Sequence, residues 1–208
     1  MIIRLSDCPL QPWKNGLGST REIAVHPACA GIDDFMWRVS IAEVDSAAPF
    51  SSFPGIDRQI ALLDGNGFTM TLDDDRAHSL TTPFTPFAFA GEAKVAVTLV
   101  DGPTRDFNLM VRRARAQGEL QCRDTAGSHR LAPDIVLGHC SRGTVDTFED
   151  QLHAGDAWLP GGTSITLAVG AGVLVCREKS GEIDPAQHLA GCRRDAGNVI
   201  CMPHVGVN

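Results

Sequence analysis

Gln59-Ile60-Ala61-Leu62-Leu63-Asp64-Gly65-Asn66-Gly67-Phe68-Thr69-Met70-Thr71-Leu72 is the stretch that decides the fold class. Two short apolar runs, Gln59 to Leu63 and Phe68 to Leu72, flank an Asp-Gly-Asn-Gly turn. The runs are too short for helices and have the length of strands. The same pattern recurs along the chain. Met36 to Val44, Val95 to Val100, Phe107 to Val111 and Ile165 to Val169 are further apolar, partly β-branched runs. Asp101-Gly102-Pro103 and Pro160-Gly161-Gly162 supply more turn chemistry. No stretch carries helical periodicity over several turns. Many short strands with regular turns predict an all-β sandwich or barrel with little helix.

A chain of 208 residues suits one compact domain or two small ones sharing a core. Hydrophobic residues at 43% and charged ones at 21% are a globular balance. The formal net charge is -7 and the basic residues form no long run, so no nucleic-acid partner is expected. An anionic ligand stays open, because two or three arginines in one pocket suffice. Met1 to Leu10 has neither the apolar core nor the cleavage site of a signal peptide. No run of about 18 apolar residues occurs, so no membrane partner is expected. Seven scattered cysteines without a Cys-x-x-Cys read as reduced thiols of a cytoplasmic protein.

The two halves differ in texture. Residues 1–112 are rich in aromatics and hold the clearest strands, and read as one barrel carrying a pocket. Ala114 to Pro133 is more polar, and a second set of strand signals runs from about Ile135 to Glu178. Residues 113–208 thus read as a second, degenerate barrel with a tail. Leu152-His153-Ala154-Gly155-Asp156-Ala157-Trp158-Leu159-Pro160-Gly161-Gly162 has the Gly-Asp, strand, Pro-Gly layout common in cupin barrels, with an approximate echo at Leu80 to Glu92. The Gly-, Arg- and Asp-rich tail from Ser180 reads as poorly ordered.

Three segments carry a family resemblance. They are Pro12-Trp13-Lys14-Asn15-Gly16-Leu17-Gly18-Ser19-Thr20-Arg21-Glu22, then Trp37-Arg38-Val39-Ser40-Ile41-Ala42 leading to Pro49-Phe50-Ser51-Ser52-Phe53-Pro54-Gly55-Ile56-Asp57-Arg58, and Arg105-Asp106-Phe107-Asn108-Leu109-Met110. Together they resemble the HutD/Ves family over roughly residues 10 to 112. The resemblance implies a double-barrel cupin (a bicupin, or RmlC-like jelly roll), bacterial origin and a gene beside those for histidine degradation. It supplies a fold and a context rather than a reaction.

Catalytic cupins usually hold a metal with two histidines one residue apart, a carboxylate and a later histidine, at about 2.0 to 2.2 Å from the ion. None of the seven histidines here lies one residue from another. Phe50-Ser51-Ser52-Phe53-Pro54-Gly55 stands where the His-x-His would fall, so no metal and no other cofactor are expected. Cys192, Cys201 and His204 fit no standard zinc spacing. There is also no Gly-x-Ser-x-Gly, P-loop or dinucleotide glycine motif.

What remains is polar decoration on strands. Period-two geometry sends Asp106, Asn108, Met110 and Arg112 to one face and Phe107, Leu109 and Val111 to the other. Arg38 and Ser40 share a face opposite Trp37, Val39 and Ile41, and Thr20 and Glu22 share one opposite Ile23 and Val25. Arg58 edges an apolar strand, and Phe50 and Phe53 beside Pro54-Gly55 read as an apolar wall or as plain core. A small barrel that is not filled by side chains holds one ligand. Arginine suits carboxylates through its bidentate fork. The expected ligand site is Glu22, Arg38, Ser40, Phe53, Arg58, Asp106, Asn108 and Arg112, around a small carboxylate; the gene context that the resemblance implies suggests a histidine-breakdown intermediate such as formylglutamate or urocanate. The competing reading is a metal-independent isomerase or hydrolase using Glu22 or Asp106 as acid/base. A third is a closed interaction protein; a homodimer also stays open.

Overall fold

The computed structural model describes residues 1–13, 16–160 and 164–178. Lys14-Asn15, the Gly161-Gly162 turn, the tail from Ser180 and the Cys192, Cys201, His204 group lie outside the described residues. In chain order come β1 (Ile2–Ile3), a 3-10 turn (Leu5–Asp7), β2 (Leu10–Pro12), β3 (Gly18–His26), β4 (Trp37–Val44), β5 (Ile56–Asp64), β6 (Phe68–Leu72), β7 (Arg76–Leu80), β8 (Phe87–Ala90), β9 (Val95–Leu99) and β10 (Thr104–Arg112). β11 (Gly118–Arg123), β12 (Gly127–Arg130), β13 (Ile135–Arg142), β14 (Thr144–Asp146), β15 (Gln151–His153), β16 (Ala157–Trp158), β17 (Ser164–Leu167) and β18 (Gly172–Glu178) follow. The chain is all-β, and no α-helix occurs among the described residues.

Four antiparallel sheets result. The first half forms a six-stranded sheet, β2-β3-β4-β10-β5-β8, and a three-stranded one, β7-β6-β9. The second half forms a five-stranded sheet, β1-β16-β13-β18-β11, and a four-stranded one, β12-β17-β14-β15. β1 comes from the start of the chain yet pairs with β16, so the first residues are strapped to the second half. Arg4 reinforces the strap with ion pairs to Asp150 and Asp156 at 2.6 Å each. The Asp64-Gly65-Asn66-Gly67 turn carries the chain from one sheet to another, and Gly65 and Gly67 take φ of +84° and +76°, which glycine adopts without strain.

Each half is a pair of facing sheets. Between the first two lie Ala42, Val44, Ile60 and Leu62 against Phe68, Met70, Leu72 and Val97. Between the second two lie Ile135, Trp158, Val173 and Val175 against Val145, Leu152, Ile165 and Leu167. A third layer joins the halves: Trp37, Val39, Ile41, Phe107, Leu109 and Val111 pack on Leu120, Leu137, Ala157 and Leu174. The face of β4 and β10 that reads as core in the sequence is therefore the seam between the two halves. Gln59 crosses that seam, donating to the Gly118 carbonyl and accepting from the Leu120 amide, both at 2.8 Å.

Two departures from the sequence pattern have clear causes. β11 and β12 form inside the polar stretch 114–133; on β11 only Leu120 is fully buried, too little for a visible alternation. In β3 a bulge between Glu22 and Ala24 shifts the register, so Val25 lies opposite Arg38 and on the same face as Glu22. The expectation that Val25 faces away from Glu22 is corrected by that extra residue, since a bulge flips every side chain after it.

Candidate functional site

The polar side chains converge on the inner face of the six-stranded sheet. Directly paired residues point the same way. One row runs Glu22, Ser40, Asn108 and Ile60 across β3, β4, β10 and β5. The next runs Val25, Arg38, Met110, Arg58 and Phe89. On the other side of the first row stand Ala42, Asp106 and Leu62. Arg38 and Arg58 thus sit two strands apart, about 10 Å in backbone spacing.

Burial grades these groups by depth. Arg58 is 6% exposed, Asn108 5%, Ser40 4% and Asp106 0%. Arg38 and Glu22 lie nearer solvent and form an ion pair, Nε donating to the Glu22 carboxylate at 2.6 Å. The Arg58 guanidinium carbon lies 5.1, 5.6 and 5.0 Å from the ring centres of Phe50, Phe53 and Phe89. Such rings stabilise a cation through their quadrupoles. Phe50 and Phe53 come from the β4–β5 loop, whose backbone bonds to Val95 and Gly91 hold it across the end of the sheet pair.

The deep groups are under-satisfied. Arg58 Nε, Asn108 Oδ1 and both carboxylate oxygens of Asp106 have no hydrogen-bond partner of regular geometry among the described residues. Such groups are rare in folded proteins and call for an explanation. Burial pulls the Arg58 guanidinium down to about 10; Asp106 opposes this and Arg38 adds to it. Burial pushes the Asp106 carboxyl up to about 7, although Arg58 and the neighbouring Asn108 both favour its charged form.

Seven of the eight expected site residues therefore share one region. Glu22, Arg38, Ser40, Arg58, Asp106 and Asn108 line the inner face, and Phe53 closes over Arg58. Arg112 turns away: its guanidinium donates to the Phe35 and Asp33 carbonyls at 2.9 and 2.6 Å and clamps the β3–β4 loop. Phe89 belongs to the site and is not among the residues picked from sequence. Its signal was the alternation Phe87-Ala88-Phe89-Ala90, which puts two rings on one face. Among the described residues no group of three His, Cys, Asp or Glu side chains is arranged to hold a metal ion. Another buried titratable group, His139, lies in the seam against Phe107, with ring centres 5.1 Å apart. Neither ring nitrogen has a partner among the described residues, and burial pulls its imidazole down to about 4.

Two sheet pairs joined back to back, one with a polar interior, define a double cupin. The chain belongs to the HutD family, whose model matches residues 5–180. An uncharacterized 21.2 kDa protein in the hutC 3' region of Pseudomonas putida is 41% identical over 130 residues, 62% of this chain and 66% of that protein. Protein Ves of Citrobacter koseri is 34% identical over 183 residues, 82% of this chain and 88% of that one. The solved structure of HutD from Pseudomonas fluorescens SBW25 superposes with a TM-score of 0.74 at 32% identity, covering 86% of this chain and 99% of that one. Likeness of fold alone extends to protein Ylba of E. coli, at 8% identity and a TM-score of 0.60 over 88% of this chain and 92% of that one.

Proposed function

We propose that the N-terminal sheet pair binds a small carboxylate-bearing metabolite and serves histidine utilisation by sensing or buffering it. One observation carries this reading. Arg58 is almost fully buried, ringed by three phenylalanines, and its Nε has no partner among the described residues. A buried charge without a close partner costs several kcal/mol, so a closed core has no reason to keep one. An anion site does. Arg38 on the same face offers a second cation nearer solvent, and Asn108 and Ser40 offer polar contacts beside it. The hutC-region relative and the family name support a metabolite of histidine breakdown, with formylglutamate and urocanate as the candidates. A cytoplasmic site of action fits such a ligand. No helix among the described residues is long and apolar enough to cross a membrane.

Thermal unfolding with and without each candidate tests the proposal. Wild-type protein should be stabilised by at least one of them. Arg58→Ala should fold and lose that stabilisation, a binding loss of about 2 to 5 kcal/mol as for truncating one partner of a buried charge pair. An unshifted wild type, or an Arg58→Ala protein that responds equally, would sink the reading.

One observation favours a second reading, a metal-independent isomerase or hydrolase. Asp106 is held near 7, where a carboxyl both gives and takes protons. Glu22, the other acid/base candidate, is already engaged by Arg38. Mass spectrometry of a bound metabolite over time separates the two, since binding alone leaves its mass unchanged.

A further inference from the structure

We propose that Asp106 is the proton switch of the carboxylate site: a ligand carboxylate settles against Arg58 together with one proton carried by Asp106, so that the interior takes up an acid rather than a bare anion. The proposal rests on the carboxylate reading above and adds how that site is regulated.

The balance of charges in the closed interior decides which state binds. Glu22 and Arg38 are joined at 2.6 Å and cancel one another near the solvent side. That leaves Arg58 and Asp106 in the interior. The two share the inner face of adjacent strands, yet they form no ion pair within 4.0 Å. With Asp106 ionised, the interior is neutral overall, and an arriving carboxylate would leave it one negative charge in excess. With Asp106 protonated, the interior carries one positive charge, which a single carboxylate cancels. Excess charge in a low-dielectric interior is expensive, so the second state is the one that binds.

The surroundings of Asp106 agree. It is 0% exposed, and its lateral neighbours are Ala42 and Leu62. The facing sheet contributes Phe68, Met70, Leu72 and Val97 around those two neighbours. The charged groups on its own sheet face are Arg58 on β5, Arg38 on β4 and Glu22 on β3. β6, β8 and β9 contain no titratable residue; β7 carries Arg76, which is exposed and paired with Asp73, and His78, stacked on Phe87 with ring centres 3.6 Å apart. Burial already moves the Asp106 carboxyl close to neutrality, within reach of a modest change in cell pH. A protonated carboxyl also donates a hydrogen bond that the ionised form cannot.

Formate and N-formylglutamate are suitable probes, because their carboxylates stay ionised between about pH 6 and pH 9. Their dissociation constants should rise about tenfold per pH unit above neutrality. Calorimetry in buffers of different ionisation heat should show about one proton taken up per carboxylate bound near pH 8. Asp106→Asn should bind with little pH dependence, and its affinity should stay near that of the wild type at pH 6. Should that variant not fold, calorimetry on the wild type decides by itself. Infrared spectroscopy of the unliganded protein gives an independent reading: a protonated carboxyl band that titrates near neutrality. Binding without proton uptake, or an Asp106→Asn protein that keeps the pH slope, overturns the switch and leaves the carboxylate site standing. If neither probe binds at any pH while the carboxyl band titrates as expected, the carboxylate reading fails and the switch falls with it.

Discussion

The two sheet pairs share one architecture and are filled differently. The C-terminal interior is apolar, and Trp158 occupies its middle against Gly138, where an added Cβ would lie 2.0 Å from the indole. A cleft of about 10 Å³ between Phe148 and Trp158 has room for about one water. The N-terminal interior instead keeps Arg58, Asp106, Asn108 and Ser40 among its apolar residues. Each of those polar groups costs stability that a hydrophobic residue would not. The apolar half and the seam can offset that cost, because the halves are joined by a continuous hydrophobic layer. One cupin unit is filled with apolar side chains, and the other keeps the polar groups of the proposed site.

The sharpest way to break this comparison is to empty the filled interior. Trp158→Ala should cost about 3 to 5 kcal/mol in urea unfolding, as for large-to-small changes in a core. Ligand-induced stabilisation at the N-terminal site should survive in the fraction that stays folded. A cost under about 1 kcal/mol would mean that the second interior is not tightly packed around Trp158.

The next effect concerns pH and separates the polar interior from the seam. His139 is pulled down to about 4, so it contributes stability that is full above its unfolded value near 6.5 and is lost as pH falls toward 4. Asp106 is pushed up to about 7, so its contribution is full below its unfolded value near 4 and is lost as pH rises through 7. They amount to about 3 kcal/mol for His139 and about 4 kcal/mol for Asp106 by linkage, with opposite sign. Between about pH 4 and 6.5 the wild type should therefore show a nearly flat stability. Asp106→Asn should become less stable with acid, and His139→Leu should become less stable with base over the same range. Chemical denaturation at stepped pH checks this; two variants with wild-type profiles would show that neither group is buried as described.

A smaller effect tests the coupling of the halves. Gln59→Ala removes both hydrogen bonds across the seam and should cost about 1 to 2 kcal/mol. It should also broaden the unfolding transition if the halves begin to melt separately. The smallest effect is on the outside of the filled half. Phe148 is 90% exposed, so Phe148→Ser should change stability by less than about 0.5 kcal/mol.

Period two is a local property, and where apolar and polar residues alternate clearly it was legible in the sequence. The runs around Asp64-Gly65-Asn66-Gly67 specified strands, and the alternation along Arg105 to Arg112 specified which side chains share a face. That alternation by itself puts Asp106 and Asn108 on one face, and Arg38 with Ser40. The family segments supplied the double-cupin expectation. Period two does not say what lies over a face, because that depends on a sheet drawn from elsewhere in the chain. Only the tertiary structure decided that Phe107, Leu109 and Val111 form a seam between two units, and that the polar face is an interior one. It also decided that the bulge after Glu22 turns Val25 inward, that β1 crosses to the other half and that Arg112 clamps a loop. The depth that lifts Asp106 toward 7 and draws His139 toward 4 belongs to the same class of fact. Desolvation is set by every atom packed around a group, and those atoms arrive from strands far apart in sequence.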